Sequence, residues 1–308
     1  MLSSGKISKY SFQFLALIGL LVTVCSLVIF PNESVSAAKE GLSTGFGVIL
    51  PSLFPFFVVS SLMIKTGTVD YIGKAISPLV KKLFKIGSCG ASAFIMGLLG
   101  GYPLGAKTVA ILYEKGSCSK KEAEHLLGFC SNSGPAFILG ACGAGVFQNS
   151  TFGLILLISH ILAAIIVGVI FRAKSPKITL FSAQNSNTDD FPIAFVKSVK
   201  ESFRSILDVC GFVIFFAVIL ELLPLPSGYI GTFIMGFIEF TAGIFKLSTV
   251  DPIIALPLCS FFLGWGGLCV HCQALSFILP QKLKTGKYFL GKLLHGIIAA
   301  LITLAFCS

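Results

Sequence analysis

The sequence predicts an all-α polytopic membrane protein, an inverted repeat of spans, broken helices and re-entrant hairpins. Three observations lead there. Of 308 residues, 55% are apolar and only 12% charged, about half the charge density of a soluble domain. The charges sit in short stretches between apolar runs long enough to cross a bilayer. Several of those runs are interrupted in the middle by Gly, Pro and polar residues, which a lipid-exposed helix tolerates poorly.

The same composition excludes other classes. The net charge of +10 comes from Lys and Arg gathered in inter-helix loops, as the positive-inside rule expects. No basic face alternates with exposed aromatics, so nucleic acid is not a partner. The ten cysteines stand singly in apolar runs, as Cys25, Cys210 and Cys259 do, and give no disulfide framework. Cys269, His271 and Cys272 cluster, but their offsets do not bring three ligands to one helix face, so no metal is expected. No nucleophile, base and acid stand at a supporting spacing, so the chain does not read as an enzyme.

Taken in order, Lys6 and Lys9 precede an apolar run from about Phe12 to Phe30. That run resembles a signal peptide, yet it is long enough to span and further spans follow, so an uncleaved first helix is expected. A loop with Glu33, Lys39 and Glu40 leads to a second span over 42–64, in which Pro51 and Pro55 predict a kink. The basic stretch with Lys65, Lys74, Lys81, Lys82 and Lys85 belongs inside. From Ser88 to Tyr113 the chain is apolar but broken by Gly100-Gly101-Tyr102-Pro103-Leu104-Gly105, the pattern of a re-entrant hairpin. Residues 114–124 read as a charged loop. A broken segment over 125–147 carries Cys130-Ser131-Asn132-Ser133-Gly134-Pro135, and a span covers 151–171.

The polar stretch 173–204, with the Ser/Asn/Asp-rich run Ser182–Asp190, reads as a linker between two halves. The second half repeats the plan, with a span over 206–223, a hairpin over 229–247, a broken segment over 253–279 and a span over 288–306. Phe94-Ile95-Met96-Gly97 at the start of the first hairpin recurs as Phe233-Ile234-Met235-Gly236 in the second. The runs add up to about seven full spans plus two hairpins. The domains are then 1–40, an N-terminal span and loop; 41–172, the first repeat; the linker 173–204; and 205–308, the second repeat. Two halves entering from opposite sides, with sites where broken helices meet, is an arrangement of many secondary transporters.

Polar residues inside the membrane are costly, so they mark function by default. Ser131, Asn132 and Ser133 offer hydroxyls, an amide and freed backbone to a polar solute. The hairpin tip from Gly101 and Tyr102 to Lys107 and Thr108 nearly spells a P-loop, but Ala106 replaces its second glycine and no strand precedes it. Helix ends and Lys107 there could instead receive an anion. Glu239 and Thr241 hold the matching position in the second half, and a lone carboxylate in an apolar run could titrate or bind a cation. His271 and Gln273 complete the set, whereas His160 reads as structural.

The segments 50–63 (LPSLFPFFVVSSLM), 100–109 (GGYPLGAKTV) and 130–147 (CSNSGPAFILGACGAGVF) resemble the YlbJ-type sporulation integral membrane proteins. These belong to the wider group carrying the nucleoside recognition, or Gate, domain and related to concentrative nucleoside transporters. The second-half segments 239–243 (EFTAG) and 264–273 (GWGGLCVHCQ) resemble it less specifically. The resemblance implies a role in sporulation and the movement of dipicolinic acid from the mother cell across the outer forespore membrane. Under it the solute site comprises Gly101, Tyr102, Lys107, Ser131, Asn132 and Ser133, faced by Glu239, Thr241, His271 and Gln273. A nucleoside carrier and a non-transporting scaffold are the alternatives. The partners expected are the lipid bilayer and the small solute, with no cofactor. A coupling ion, sodium or proton, is left open, and a homo-oligomer follows by analogy with the nucleoside transporters alone.

Overall fold

A computed structural model of the chain describes residues 4–173 and 189–307. The described residues are helical throughout, with no strand among them. The run Ser182–Asp190 falls outside them as far as residue 188.

The N-terminal helix α1 (Ser4–Ile29) is followed by a continuous helix over 31–65 made of three parts. These are α2 (Pro31–Thr44), a π-helical turn (Gly45–Ile49) and α3 (Leu50–Lys65). Pro51 removes a backbone donor, and the widened turn before it absorbs that loss without ending the helix. The basic stretch is itself a helix, α4 (Thr68–Phe84), which meets α5 (Ser88–Gly100) at 94°. Lys85, in the left-handed region at φ 53°, makes the corner.

Next, α5 and α6 (Leu104–Glu114) form the first hairpin, joined by Gly101, Tyr102 and Pro103. The stretch expected to be a charged loop contains a short helix, α7 (Lys120–Leu126). Ser119 and Glu122 close it with a capping box, each side chain bonding the other's backbone N–H. The chain is then non-helical through Ser131–Gly134 and enters a π-helix, Ala136–Val146, before α8 (Ser150–Arg172).

The next helix, α9 (Phe191–Leu222), begins well inside the expected linker. Pro192 suits a first turn, and the polar residues that follow alternate with apolar ones along the helix. A second hairpin follows from α10 (Tyr229–Ile238) and α11 (Phe240–Lys246), with Glu239 at its tip. The segment α12 (Pro252–Trp265) and α13 (Gly267–Ile278) is broken at Gly266, and α14 (Gly286–Cys307) ends the chain.

Among the described residues, five helical stretches are long and apolar enough to cross a membrane: 31–65, α8, α9, α12 with α13, and α14. The bent pair α4–α5 raises the number to six. The seven full spans expected also counted the run 12–30 and the broken segment 125–147, and the latter is here a short helix, an extended stretch and a π-helix.

The recurring motif marks equivalent positions in the two hairpins. A Cβ on Gly97 would come within 3.2 Å of the Gly105 Cα and run into the Cys130 carbonyl. In the second hairpin a Cβ on Gly243 would run into the Gly236 Cα. The glycine of each Phe-Ile-Met-Gly copy is therefore where the hairpin's two helices cross, and small residues allow that approach. Around the first hairpin, Phe84, Phe94 and Phe129 pack ring to ring, Phe84 lying 5.1 and 5.3 Å from the other two. In the second half Phe237 stacks on Trp265 at 4.7 Å.

Candidate functional site

Each hairpin tip rests against the break of a broken segment. A Cβ on Gly101, whose φ is +76°, would meet the Gly134 nitrogen at 2.8 Å. A Cβ on Gly267, whose φ is +74°, would meet the Phe240 nitrogen at 2.9 Å. Only glycine permits both the backbone conformation and the approach. The two assemblies also touch one another: the Tyr102 and Phe240 rings lie 6.2 Å apart, edge to face, and Phe137 lies 5.2 Å from Phe240.

At this meeting point is a cavity of about 40 Å³. Tyr102, Ser133 and Gly134 line it from the first half, and Phe240, Thr241 and Gln273 from the second. Its floor against α9 is Val209 and Val213. That volume holds water and no organic solute.

Two larger spaces flank it along α9. One, of about 570 Å³, is lined by Glu40, Glu221, Glu239 and Lys246, and shares Val213 and Thr241 with the central cavity. The other, of about 80 Å³, is lined by Lys65, Lys107, Lys115 and Glu201. The first therefore carries three carboxylates and one amine, the second three amines and one carboxylate. Glu201, Val213 and Glu221 lie in sequence on one helix, so α9 passes the basic chamber, the central cavity and the acidic chamber in turn.

The expected site residues distribute over this arrangement unevenly. Tyr102, Ser133, Thr241 and Gln273 share the central cavity, and Gly101 abuts it. Ser131 and Asn132 are fully buried just before it in the chain; Asn132 donates to the Phe129 carbonyl at 3.2 Å. Lys107 belongs to the basic chamber, where its amine donates to Ser205 at 2.8 Å and lies over the Phe57 and Phe277 rings. Glu239 faces the acidic chamber and caps α11, accepting from the Thr241 and Ala242 backbone at 3.2 and 2.7 Å. His271 lies 2.9 Å from the Tyr288 hydroxyl and edge-on to Trp265.

Behind Tyr102 stands a network that includes two residues the sequence did not single out, Lys292 and His295, and one it read as structural, His160. Lys292, 1% exposed in α14, donates to the Ser131 carbonyl at 2.8 Å and to the Tyr102 hydroxyl. That hydroxyl in turn lies 2.9 Å from the Leu263 carbonyl and 3.2 Å from that of Gly264, at the end of α12. His160 accepts from the Ser133 N–H at 3.0 Å, and its ring stacks on His295 at 4.3 Å. The sign of this network in the sequence is the titratable residues His160, Lys292 and His295 within largely apolar spans.

Residues 46–174 match the family model described as nucleoside recognition, Gate. The matched stretch runs from the π-helical turn before α3 to the end of α8, so it holds the first hairpin, the first break and His160. The whole chain is similar to the sporulation integral membrane protein YlbJ of Bacillus subtilis (strain 168), with 28% identity over 97% of this chain and 83% of that protein. The resemblance read from the sequence agrees with both comparisons, one to a nucleoside recognition family and one to a sporulation integral membrane protein. No solved structure matches the chain.

Proposed function

We propose that this protein carries a small anionic solute through the membrane, and that the solute is dipicolinic acid crossing the outer forespore membrane. The observation that carries the proposal is the convergence of two hairpin tips and two helix breaks on one central cavity with a chamber on either side. Broken helices meeting midway through a bundle are the binding architecture of secondary transporters. With a central volume of about 40 Å³ the cavity is too small for the solute in this conformation, and carriage requires it to widen.

The charges give the path a polarity. Lys65 closes α3 and leads into α4 with its Lys74, Lys81 and Lys82, so the basic chamber faces the lysine-rich side, which the positive-inside rule puts in the cytoplasm. An anion is drawn to that mouth, whereas the carboxylates of the opposite chamber repel it unless they are protonated or cation-bound, so exit calls for a coupling proton or cation. Loading from the mother-cell cytoplasm fits this layout.

A nucleoside carrier is the second reading, favoured by the description of the Gate family and by the uncharged lining of the central cavity. Purified protein in liposomes separates the two. Uptake of labelled dipicolinate that excess unlabelled dipicolinate blocks and uridine does not is the expected result. Uridine uptake without dipicolinate uptake would establish the nucleoside reading, and uptake of neither would favour a scaffold. In cells, a deletion strain should form spores poor in dipicolinate while the mother cell accumulates it.

A further inference from the structure

Lys292 is the most costly residue in the molecule to explain by packing. It lies in a membrane-spanning helix with 1% of its surface exposed. Among the described residues the ion pairs are Lys65 with Glu201 and Lys197 with Asp189, so no carboxylate lies beside the Lys292 amine. Its neighbours are the Ser131 carbonyl, the Tyr102 hydroxyl and the Tyr102 ring, 4.5 Å from the amine. His160, His271 and His295, on α8, α13 and α14, are near enough to interact with it electrostatically. A lysine put there only to fill space would be replaced without loss by methionine, because burying an amine without a counter-charge costs several kcal/mol.

The surroundings are short of partners on the solute's side as well. An ammonium has three donors, and two of those on Lys292 are engaged. The Ser131 hydroxyl, 1% exposed, has no partner although its own backbone carbonyl holds Lys292. The His160 Nδ1 and His271 Nε2 atoms are likewise buried without partners. These polar atoms gather behind the wall of the central cavity that Tyr102 and Ser133 form.

We infer that Lys292 is the counter-charge for a carboxylate of the carried solute, with the Tyr102 hydroxyl holding its place while the site is empty. The inference rests on the carrier reading above and assigns the anion to Lys292 and not to Lys107. A carboxylate entering the cavity takes over the amine from the phenol oxygen, and the Ser131 hydroxyl donates to it. The site selects a carboxylate over its uncharged isostere, because the isostere leaves the amine unpaired.

The test uses the full-length protein in liposomes with dipicolinate as the transported probe and its neutral diamide as competitor. Wild type should prefer the dicarboxylate by about 30-fold or more, the range of a buried charge pair. In Lys292→Met that preference should fall to within a few-fold, while Lys292→Arg recovers part of it. Lys107→Met should lower uptake without changing the preference. If Lys292→Met stops all uptake, binding to the monodisperse detergent-solubilised protein decides. Retained diamide binding with lost dicarboxylate binding supports the assignment, and loss of both, in protein of unchanged melting temperature, overturns it. An unchanged preference in Lys292→Met overturns it too. Wild type that carries uridine and no dipicolinate would overturn the anion-carrier reading above, and this inference with it.

Discussion

The two hairpins have the same skeleton and opposite ways of satisfying their tips. In the first, Tyr102 reaches out of its own half to the Leu263 and Gly264 carbonyls and is held by Lys292 of α14. In the second, Glu239 turns inward and satisfies the first N–H groups of its own α11. The first tip is bolted across the molecule, and the space beside it is small. The second is capped within its own hairpin, takes one bond from outside, the Trp265 indole to the Phe237 carbonyl at 3.0 Å, and borders the 570 Å³ chamber. Displacing the second tip therefore breaks fewer bonds to the rest of the molecule than displacing the first. The first is the more firmly anchored of the two.

The strongest way to break this comparison is to force the crossings apart. Gly97→Leu and Gly105→Leu both drive a side chain into the Cys130 carbonyl and should cost about 3 kcal/mol or more. The expected outcome is loss of monodisperse protein on extraction. Gly140→Ala, with nothing within 4 Å of the added carbon, should be extracted like wild type. Equal behaviour of the three would mean that the crossings are not tight.

Tyr102→Phe comes next, since it removes the donor to α12 and one partner of Lys292. A loss of about 1–3 kcal/mol is expected, read as a lower melting temperature in detergent. Glu239→Ala removes only a local cap and should cost about 1 kcal/mol. Hydrogen exchange should then speed up in 240–249 and stay unchanged in α12. Exchange rising equally in both would show that the second tip is also tied across the molecule. The smallest effect belongs to Lys65→Ala, which breaks a pair with Glu201, half of whose side chain is exposed. A change below about 0.5 kcal/mol is expected, with a modest fall in dipicolinate uptake at low salt.

The interruptions were legible because Gly and Pro leave a mark in one dimension. Residues 100–105, 130–135 and 264–267 break apolar runs, and each is a tip or a break in the fold. The hairpin equivalence could be read from four residues repeated at the same structural offset. The short helix α7 was not read, although Ser119 and Glu122 have the spacing of a capping box. Its charged composition hid it inside what read as a loop.

The network around Lys292 could not be read in this way. Its partners lie 161 and 190 residues away in the chain, at Ser131 and Tyr102, and the carbonyl facing His295 is 135 residues away. No local pattern announces such contacts. Lys107 was the reverse case. It stands beside a tip in sequence, but a helix turn carries its amine to Ser205 and into another chamber.

The length of α9 has a consequence of its own. Its 32 residues make a rod of about 48 Å, while the hydrocarbon layer is about 30 Å thick. The excess falls at the N-terminal end, where Lys197, Lys200 and Arg204 lie among exposed Phe191, Ile193 and Phe195. Those turns belong among lipid headgroups, with the rings in the acyl boundary and the cations near phosphates. Because the same rod walls all three chambers, its tilt couples them to bilayer thickness. A membrane made thinner or thicker would change how the mouths stand relative to the central cavity, with no change in any side chain.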